Sequence, residues 1–310
     1  MEARSDAERS SHAELERSVG AVSDIELRPM LEADLLRADE VWARAFATST
    51  EFPQRTEPLS LSELAQNLDR RRHLLTHDPE GSFVATSAGL VVGLAQGHRR
   101  GDTYGLAMLA VDPAFQDRGI GRALLDRALT YASGARAQYI FSSSDPRALH
   151  RYVQAGFFLH PTVRITPRDD MARPTSAAVR VSTNSEVDLD AVDAIDQAVR
   201  DTTRRPDVQF WLRNETQLLI HEAGGYAFLN PTRLVALGAT SDEIAAELLH
   251  SVLGGYPDGV KRSLGWVVQD QQWAIVQATN DKATIEVHGA MMTRGLTVLP
   301  RPYLPNGLFG

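Results

Sequence analysis

Residues 104–127 read YGLAMLAVDPAFQDRGIGRALLDR, and no other stretch restricts the fold as tightly. Leu106 to Val111 form an apolar run too short for a helix and stopped by Asp112-Pro113, which predicts a buried strand. After Gln116-Asp117-Arg118-Gly119-Ile120-Gly121, the residues Ala123, Leu124, Leu125, Ala128 and Leu129 recur at helical spacing. A glycine-bearing turn therefore joins a strand to the first turn of a helix. The leading N–H groups of a helix lack intrahelical acceptors and carry the positive end of its dipole, so this turn is an anion site. Gly119 and Gly121 remove side chains that would keep a phosphate from the backbone.

The order strand, Asp-Pro, Gln-x-x-Gly-x-Gly, amphipathic helix excludes two other phosphate loops. No Gly-Lys-Ser/Thr follows, so it is not a Walker loop, and Asp112 to Phe115 separate the strand from the glycines, unlike the dinucleotide fingerprint. With 310 residues, 43% of them hydrophobic and 23% charged, two domains with real cores are expected. No apolar run reaches spanning length and the N-terminus lacks a signal-peptide core, so a cytoplasmic location without a membrane partner is expected. The lack of cysteine removes thiolate nucleophiles and Cys-ligated metals, and histidines such as His73, His77, His98, His150 and His160 show no metal spacing. A net charge of −8 argues against nucleic acid and is compatible with a cationic amine.

Residues 1–23 are polar and are expected to form a mobile tail. A strand at Ile25 to Leu27 precedes a helix from Glu32 with Leu35, Ala38, Val41, Trp42, Ala45 and Phe46 on one face. Thr48 to Pro58 is loop, and Ser60 to Glu63 is a capping box for a helix to Arg72. A hairpin pairs Ser82 to Thr86 with Leu90 to Gln96. Beyond the central strand and its helix come a strand at Gln138 to Ser142 and a helix from Asp145-Pro146 to Gln154, ended by Gly156-Phe157.

This β-α-α-β-β-β-α-β-α-β order and the Gln-x-x-Gly-x-Gly turn resemble the GNAT superfamily of N-acetyltransferases, an α/β (α+β) fold. The resemblance implies an acyl-CoA N-acyltransferase fold over residues 24–165 and acetyl-CoA as cofactor. It implies a loop of Gln116, Asp117, Arg118, Gly119, Ile120, Gly121 and Arg122 on the pyrophosphate. It also implies a central strand splayed from its neighbour, with backbone groups of Leu109, Ala110 and Val111 pairing with the pantetheine arm and an N–H facing the thioester carbonyl. The segment from Asp145 to Phe157 resembles the family's closing motif N-x-x-A-x-x-x-Y-x-x-x-G-F, with Ala148, Tyr152, Gly156 and Phe157 at matching positions. The match implies cofactor contacts from Asp145, which stands where the family often has asparagine, and from Ala148 and Tyr152. It makes Tyr152 the general acid beside the departing sulfur, since a phenol is protonated at neutral pH. For the general base, Glu51 in the loop between the first two helices leads, with Asp102 and Tyr104 near the start of the central strand as other candidates and ordered water as a further route.

The implied reaction is direct transfer of acetyl from acetyl-CoA to a primary amine of a small molecule or peptide. Two other readings are an acyl-CoA-binding sensor or interaction module, and a mycothiol-synthase-like acetyltransferase. The active half of the latter enzymes is the second one.

Residues 166–177 read as a linker, and residues 178–310 as a second, diverged GNAT-like copy. An offset of 154 lays Ile25, Glu32, Asp34, Leu35, Asp39 and Val41 on Val179, Glu186, Asp188, Leu189, Asp193 and Ile195. An offset of 144 lays Gly81, Leu90, Val91 and Ala95 on Gly225, Leu234, Val235 and Ala239, and one of 123 lays Val153 to Ala155 on Val276 to Ala278. After Leu234 to Ala239 comes Thr240-Ser241-Asp242-Glu243, an acidic capped helix start without a glycine turn, and Ile275 stands opposite Tyr152. The second copy is expected to bind no cofactor. Its apolar end, Tyr303 to Gly310, is expected to dock between the halves near the acceptor site.

Overall fold

The computed structural model describes residues 25–47, 60–168, 176–183, 185–214, 216–296 and 298–310. The expected tail, the loop with Glu51 and most of the linker lie outside the described residues. The first half runs β1 (Ile25–Pro29), α1 (Leu35–Ala45), α2 (Leu61–His77), β2 (Ser82–Ser87), β3 (Leu90–Arg100), β4 (Thr103–Val111), α3 (Ile120–Tyr131), β5 (Ala137–Ser142), α4 (Pro146–Gln154) and β6 (Phe158–Thr166). The second half repeats this order with β7 (Val179–Val181), α5 (Ser185–Arg200), α6 (Arg205–Arg213), β8 (Gln217–His221), β9 (Gly225–Leu229), β10 (Leu234–Ala239), α7 (Asp242–Leu253), β11 (Leu264–Val268), α8 (Gln272–Asn280) and β12 (Thr284–Arg294). β13 (Tyr303–Leu304) follows. The tandem order is thus present in full, but β10 is the counterpart of β4, whereas the offset of 144 laid β3 on it. Short apolar strands of one hairpin resemble those of the next, so weak matches slip by a strand.

Local chemistry sets the elements. The Ser60 hydroxyl accepts from Glu63 N at 3.2 Å while the Glu63 carboxylate accepts from Ser60 N at 2.9 Å, the reciprocal cap that starts α2. Asp145 starts α4 by accepting from Arg147 N at 2.9 Å ahead of a proline at the first helical position. Among the described residues no helix is long and apolar enough to cross a membrane.

The two halves are interlocked. One sheet has the order β1-β2-β3-β4-β5-β12-β6-β11, and the other β13-β10-β9-β8-β7. β12 of the second half lies between β5 and β6, and β6 of the first lies between β12 and β11. Each half lends its last long strand to the other. The cores follow: Ala290 and Met292 of β12 join the first-half cluster around Leu106, Leu124 and Tyr152, while Ile165 of β6 joins the second-half cluster around Leu248 and Val267. A buried ion pair adds to the junction, Arg100 on β3 donating to Asp207 on α6 at 2.7 and 2.6 Å, with His73 Nε2 2.7 Å from the same carboxylate.

Candidate active site

β4 is the axis of the site. Its parallel pairing with β5 covers Thr103 to Leu106 against Ala137 to Ile140 and goes no further, while its pairing with β3 continues to Val111. Ala107 is the extra residue of a bulge against β3, where Leu106 faces Gly97 and Met108 faces Gln96. On its other edge β5 pairs with β12 from Gln138 to Ser142. Leu109, Ala110 and Val111 are therefore left with an open flank beside β5, a splayed edge able to accept an extended ligand.

At the end of this edge stands the glycine turn. Asp112 is held by Arg37 and Arg44 of α1 at 3.3 and 2.7 Å, which fixes where the chain leaves the strand. Gln116 Nε2 donates to Val111 O at 3.0 Å, and Gln116 Oε1 accepts from Arg147 Nη1 at 2.8 Å, tying the turn to the start of α4. Gly119 caps α3 at φ +79°, in the left-handed region, and supplies no side chain to the first-turn N–H groups. Gly121 is buried, and a Cβ there would stand 2.9 Å from Arg151 Nη1. The turn is thus a helix start without a side-chain cap and with an arginine laid beside it, suited to a phosphate.

One cavity of about 1250 Å³ joins these parts. Leu109, Ala110, Val111, Gln116, Asp117, Gly119, Ile120, Gly121, Asp145, Ala148 and Tyr152 all line it, so the structure brings together most of the residues expected from sequence. Arg118 and Arg122 do not line it: Arg118 lies over the Phe115 ring at 5.2 Å, and Arg122 pairs with Asp126 at 3.8 Å. The Asp145 carboxylate is spent on capping and on Arg147 at 2.9 Å, whose hydrogen bond holds it below the usual carboxylate range. Glu51 lies outside the described residues. Asp102 is exposed at the turn before β4, and Tyr104 is wholly buried with its phenol pushed far up by burial, so neither faces the cavity.

Tyr152 is 6% exposed on α4, beside Leu106, Ile140 and Ala148. Burial pushes its phenol up to about 12, with the Arg151 charge opposing, so the hydroxyl keeps its proton throughout the neutral range.

The second half closes the cavity. Phe210, Trp211, Asn214, Arg233, Trp266, His288 and Leu308 line it opposite Trp42, Phe46, Arg70 and Arg71. Of these, Arg71 lies under β4, pairing with Asp39 at 2.8 Å and reaching Met108 Sδ at 2.6 Å. These residues were not legible as site residues, because residues distant in sequence meet only through the interlock. The C-terminal segment docks between the halves as expected: Phe309 is 2% exposed and packs on His73 of α2 at 5.5 Å and on Phe210 and Trp211 of α6 at 5.8 and 6.2 Å. Arg204 anchors it through the Tyr303 hydroxyl at 2.6 Å and the Gly310 carbonyl.

The start of α7 and the flank of β10 differ from their first-half counterparts. Ser241 caps α7, its hydroxyl accepting from Ile244 N, and Asp242 and Glu243 occupy the first turn. Arg301 pairs with Asp242, and β13 takes the flank of β10 at Leu237 and Gly238.

Residues 42–157 match the acetyltransferase (GNAT) family model. Over 91 residues the chain is 36% identical to mycothiol acetyltransferase of Propionibacterium freudenreichii subsp. shermanii, covering 26% of this chain and 28% of that protein. Over 84 residues it is 38% identical to N-alpha-acetyltransferase RimI of Mycobacterium tuberculosis, covering 26% of this chain and 53% of that one. The matches thus span about a quarter and about half of these relatives. A solved structure from Pyrococcus horikoshii superposes with a TM-score of 0.75 at 18% identity, covering 92% of this chain and 96% of that one. A tandem GNAT protein from the clavulanic acid biosynthesis pathway superposes at 0.56 with 18% identity, covering 87% and 98%.

Proposed function

From the GNAT domain at residues 42–157, in a chain with the tandem GNAT fold, we propose an acetyl-CoA-dependent N-acetyltransferase whose chemistry lies in the first half. One observation carries the reading: the open edge of Leu109 to Val111, Gly119 to Gly121 of the turn and Tyr152 line one cavity. The residues fit coenzyme A, since the glycine turn admits a phosphate where a Cβ would meet Arg151. Acetyl-CoA would supply an acyl thioester. The N–H groups of the Gly119 to Gly121 turn, with Arg151, would hold its pyrophosphate, and the β4 edge would hold its extended arm. Tyr152 holds a proton on its phenol oxygen and would give it to the departing sulfur. An N–H of Leu109 to Val111 would receive the charge developing on the carbonyl oxygen. Arg71, neutralised by Asp39, keeps Met108 and hence β4 in place.

The mycothiol acetyltransferase and RimI likenesses favour an amine acceptor and leave a small molecule and a peptide both in play. The mycothiol-type reading places chemistry in the second half, where β13 and the Ser241 cap occupy the corresponding features. Coenzyme A release from acetyl-CoA, followed across small amines and peptides, tests the reading. Amine-dependent release supports it. Binding of acetyl-CoA without turnover on any amine leaves the sensor reading instead.

A further inference from the structure

The cavity wall away from the glycine turn is basic. Arg70 enters it from α2 and Arg233 from the turn between β9 and β10, one from each half. Arg70 Nη2 donates to Asn67 Oδ1 and its Nε to Gln66 O at 3.4 Å, which orients the guanidinium and, among the described residues, leaves Nη1 without a partner. Asn230 Oδ1 accepts from the N–H groups of Thr232 and Arg233 at 3.0 and 2.8 Å, which rigidifies the turn that carries Arg233. Arg164 of β6 and His288 of β12 line the same cavity.

Of the other carboxylates on the wall, three are already engaged. Asp39 pairs with Arg71, Glu63 caps α2, and Asp145 pairs with Arg147. Asp117 belongs to the glycine turn. Among the described residues no carboxylate pairs with Arg70 or with Arg233. Burial, and then the charges of Arg233 and Arg71, pull the Arg70 guanidinium down to about 10, with Asp39 opposing. Two like charges sharing a concave wall disfavour each other, and an anion between them removes that repulsion. A guanidinium also offers the planar pair of donors that matches an oxyanion.

We propose that Arg70 and Arg233 bind an oxyanion group of the acceptor, a carboxylate or a phosphate, so that the substrate is an amine that also carries a negative charge. The acceptor role rests on the acetyltransferase reading, whereas the anion site is testable by binding alone. The whole-chain charge of −8 is compatible with a cationic amine, and the local charge of the cavity wall adds an anionic group to that amine.

The test uses the full chain saturated with coenzyme A and titrated calorimetrically with dipeptides beside their C-terminal amides, and with phosphoethanolamine beside ethanolamine. The anionic member of at least one pair should bind about tenfold or more tightly, as charge-assisted hydrogen bonds allow. Dipeptide pairs report a carboxylate, and the phosphoethanolamine pair a phosphate. Arg70→Ala and Arg233→Ala should each remove the preference, with Arg233→Lys keeping part of it. Arg233 lies on an exposed turn, so its variants carry the test if Arg70→Ala fails to fold. No preference in any pair, or a preference that survives both alanine variants, overturns the proposal. Anion preference here, with no amine-dependent coenzyme A release from acetyl-CoA across the panel of small amines and peptides, supports the anion site and overturns the acetyltransferase reading.

Discussion

Leu304 lies opposite Leu237 in the antiparallel pair of β13 with β10, on the flank that corresponds to the open flank of Leu109 to Val111 in β4. The chain thus fills in its second half the feature that it leaves open in its first. The same segment brings Arg301 onto Asp242 at the start of α7, the counterpart of the glycine turn. One acetyl-CoA per chain is the expected stoichiometry. Arg301→Ala, which removes that ion pair, should leave both stoichiometry and affinity at wild type in calorimetry.

Phe309 joins the halves by packing among His73, Phe210 and Trp211. Phe309→Ala should cost about 3–5 kcal/mol in urea unfolding, the usual range for emptying an aromatic site in a core. Because Leu308 and Phe309 line the cavity, the acceptor KM should also change while acetyl-CoA affinity stays near wild type. A loss below ~0.5 kcal/mol, the size of a surface substitution, with unchanged KM would mean that the terminus merely rests on the surface.

Tyr152→Phe removes one hydroxyl and keeps the ring in the first-half core. Turnover should fall by about 10²–10⁴-fold, the range of general acid catalysis, with acetyl-CoA affinity nearly intact. With the phenol pushed up to about 12, the wild-type rate should show no alkaline decline from this group below pH 10. A kcat within twofold of wild type under rate-limiting chemistry would reduce Tyr152 to packing.

His98 is 1% exposed, its Nε2 2.7 Å from the Tyr139 hydroxyl. Burial, with the Arg100 charge, pulls it down to about 4, against favourable charges on Asp207 and Asp78. An unfolded chain takes up that proton near pH 6.5, so stability falls as pH drops from about 6.5 to about 4 and this contribution is flat outside that window. The loss should be about 3 kcal/mol at 1.36 kcal/mol per pH unit. In His98→Gln the drop in unfolding free energy between pH 7 and pH 4.5 should be smaller than in wild type. An equal drop in both would place the acid sensitivity elsewhere.

The sequence made local features plain and left tertiary ones dark. The strand, Asp-Pro, Gln-x-x-Gly-x-Gly and helix succession was readable because Asp112, Gly119 and Gly121 each act within a few residues of their own backbone. The Ser60 and Asp145 caps were readable for the same reason. The exchange of β6 and β12 was not, because strand pairing at an edge depends on which partner the whole fold delivers. For that reason Arg70 and Arg233 carried no signal: they meet across the cavity only once the halves interlock. Slipping β3 onto β10 shows the weakness of repeat matching in short apolar strands.

Acetyl-CoA titration of Gly121→Glu by calorimetry reports whether the glycine turn of the first half holds the cofactor. A glutamate there would meet Arg151 and bring a carboxylate to the phosphate position at the positive end of α3. Wild type should bind one acetyl-CoA per chain, and the folded variant should show no measurable heat of binding. Unchanged affinity in a folded Gly121→Glu protein would mean that acetyl-CoA binds elsewhere.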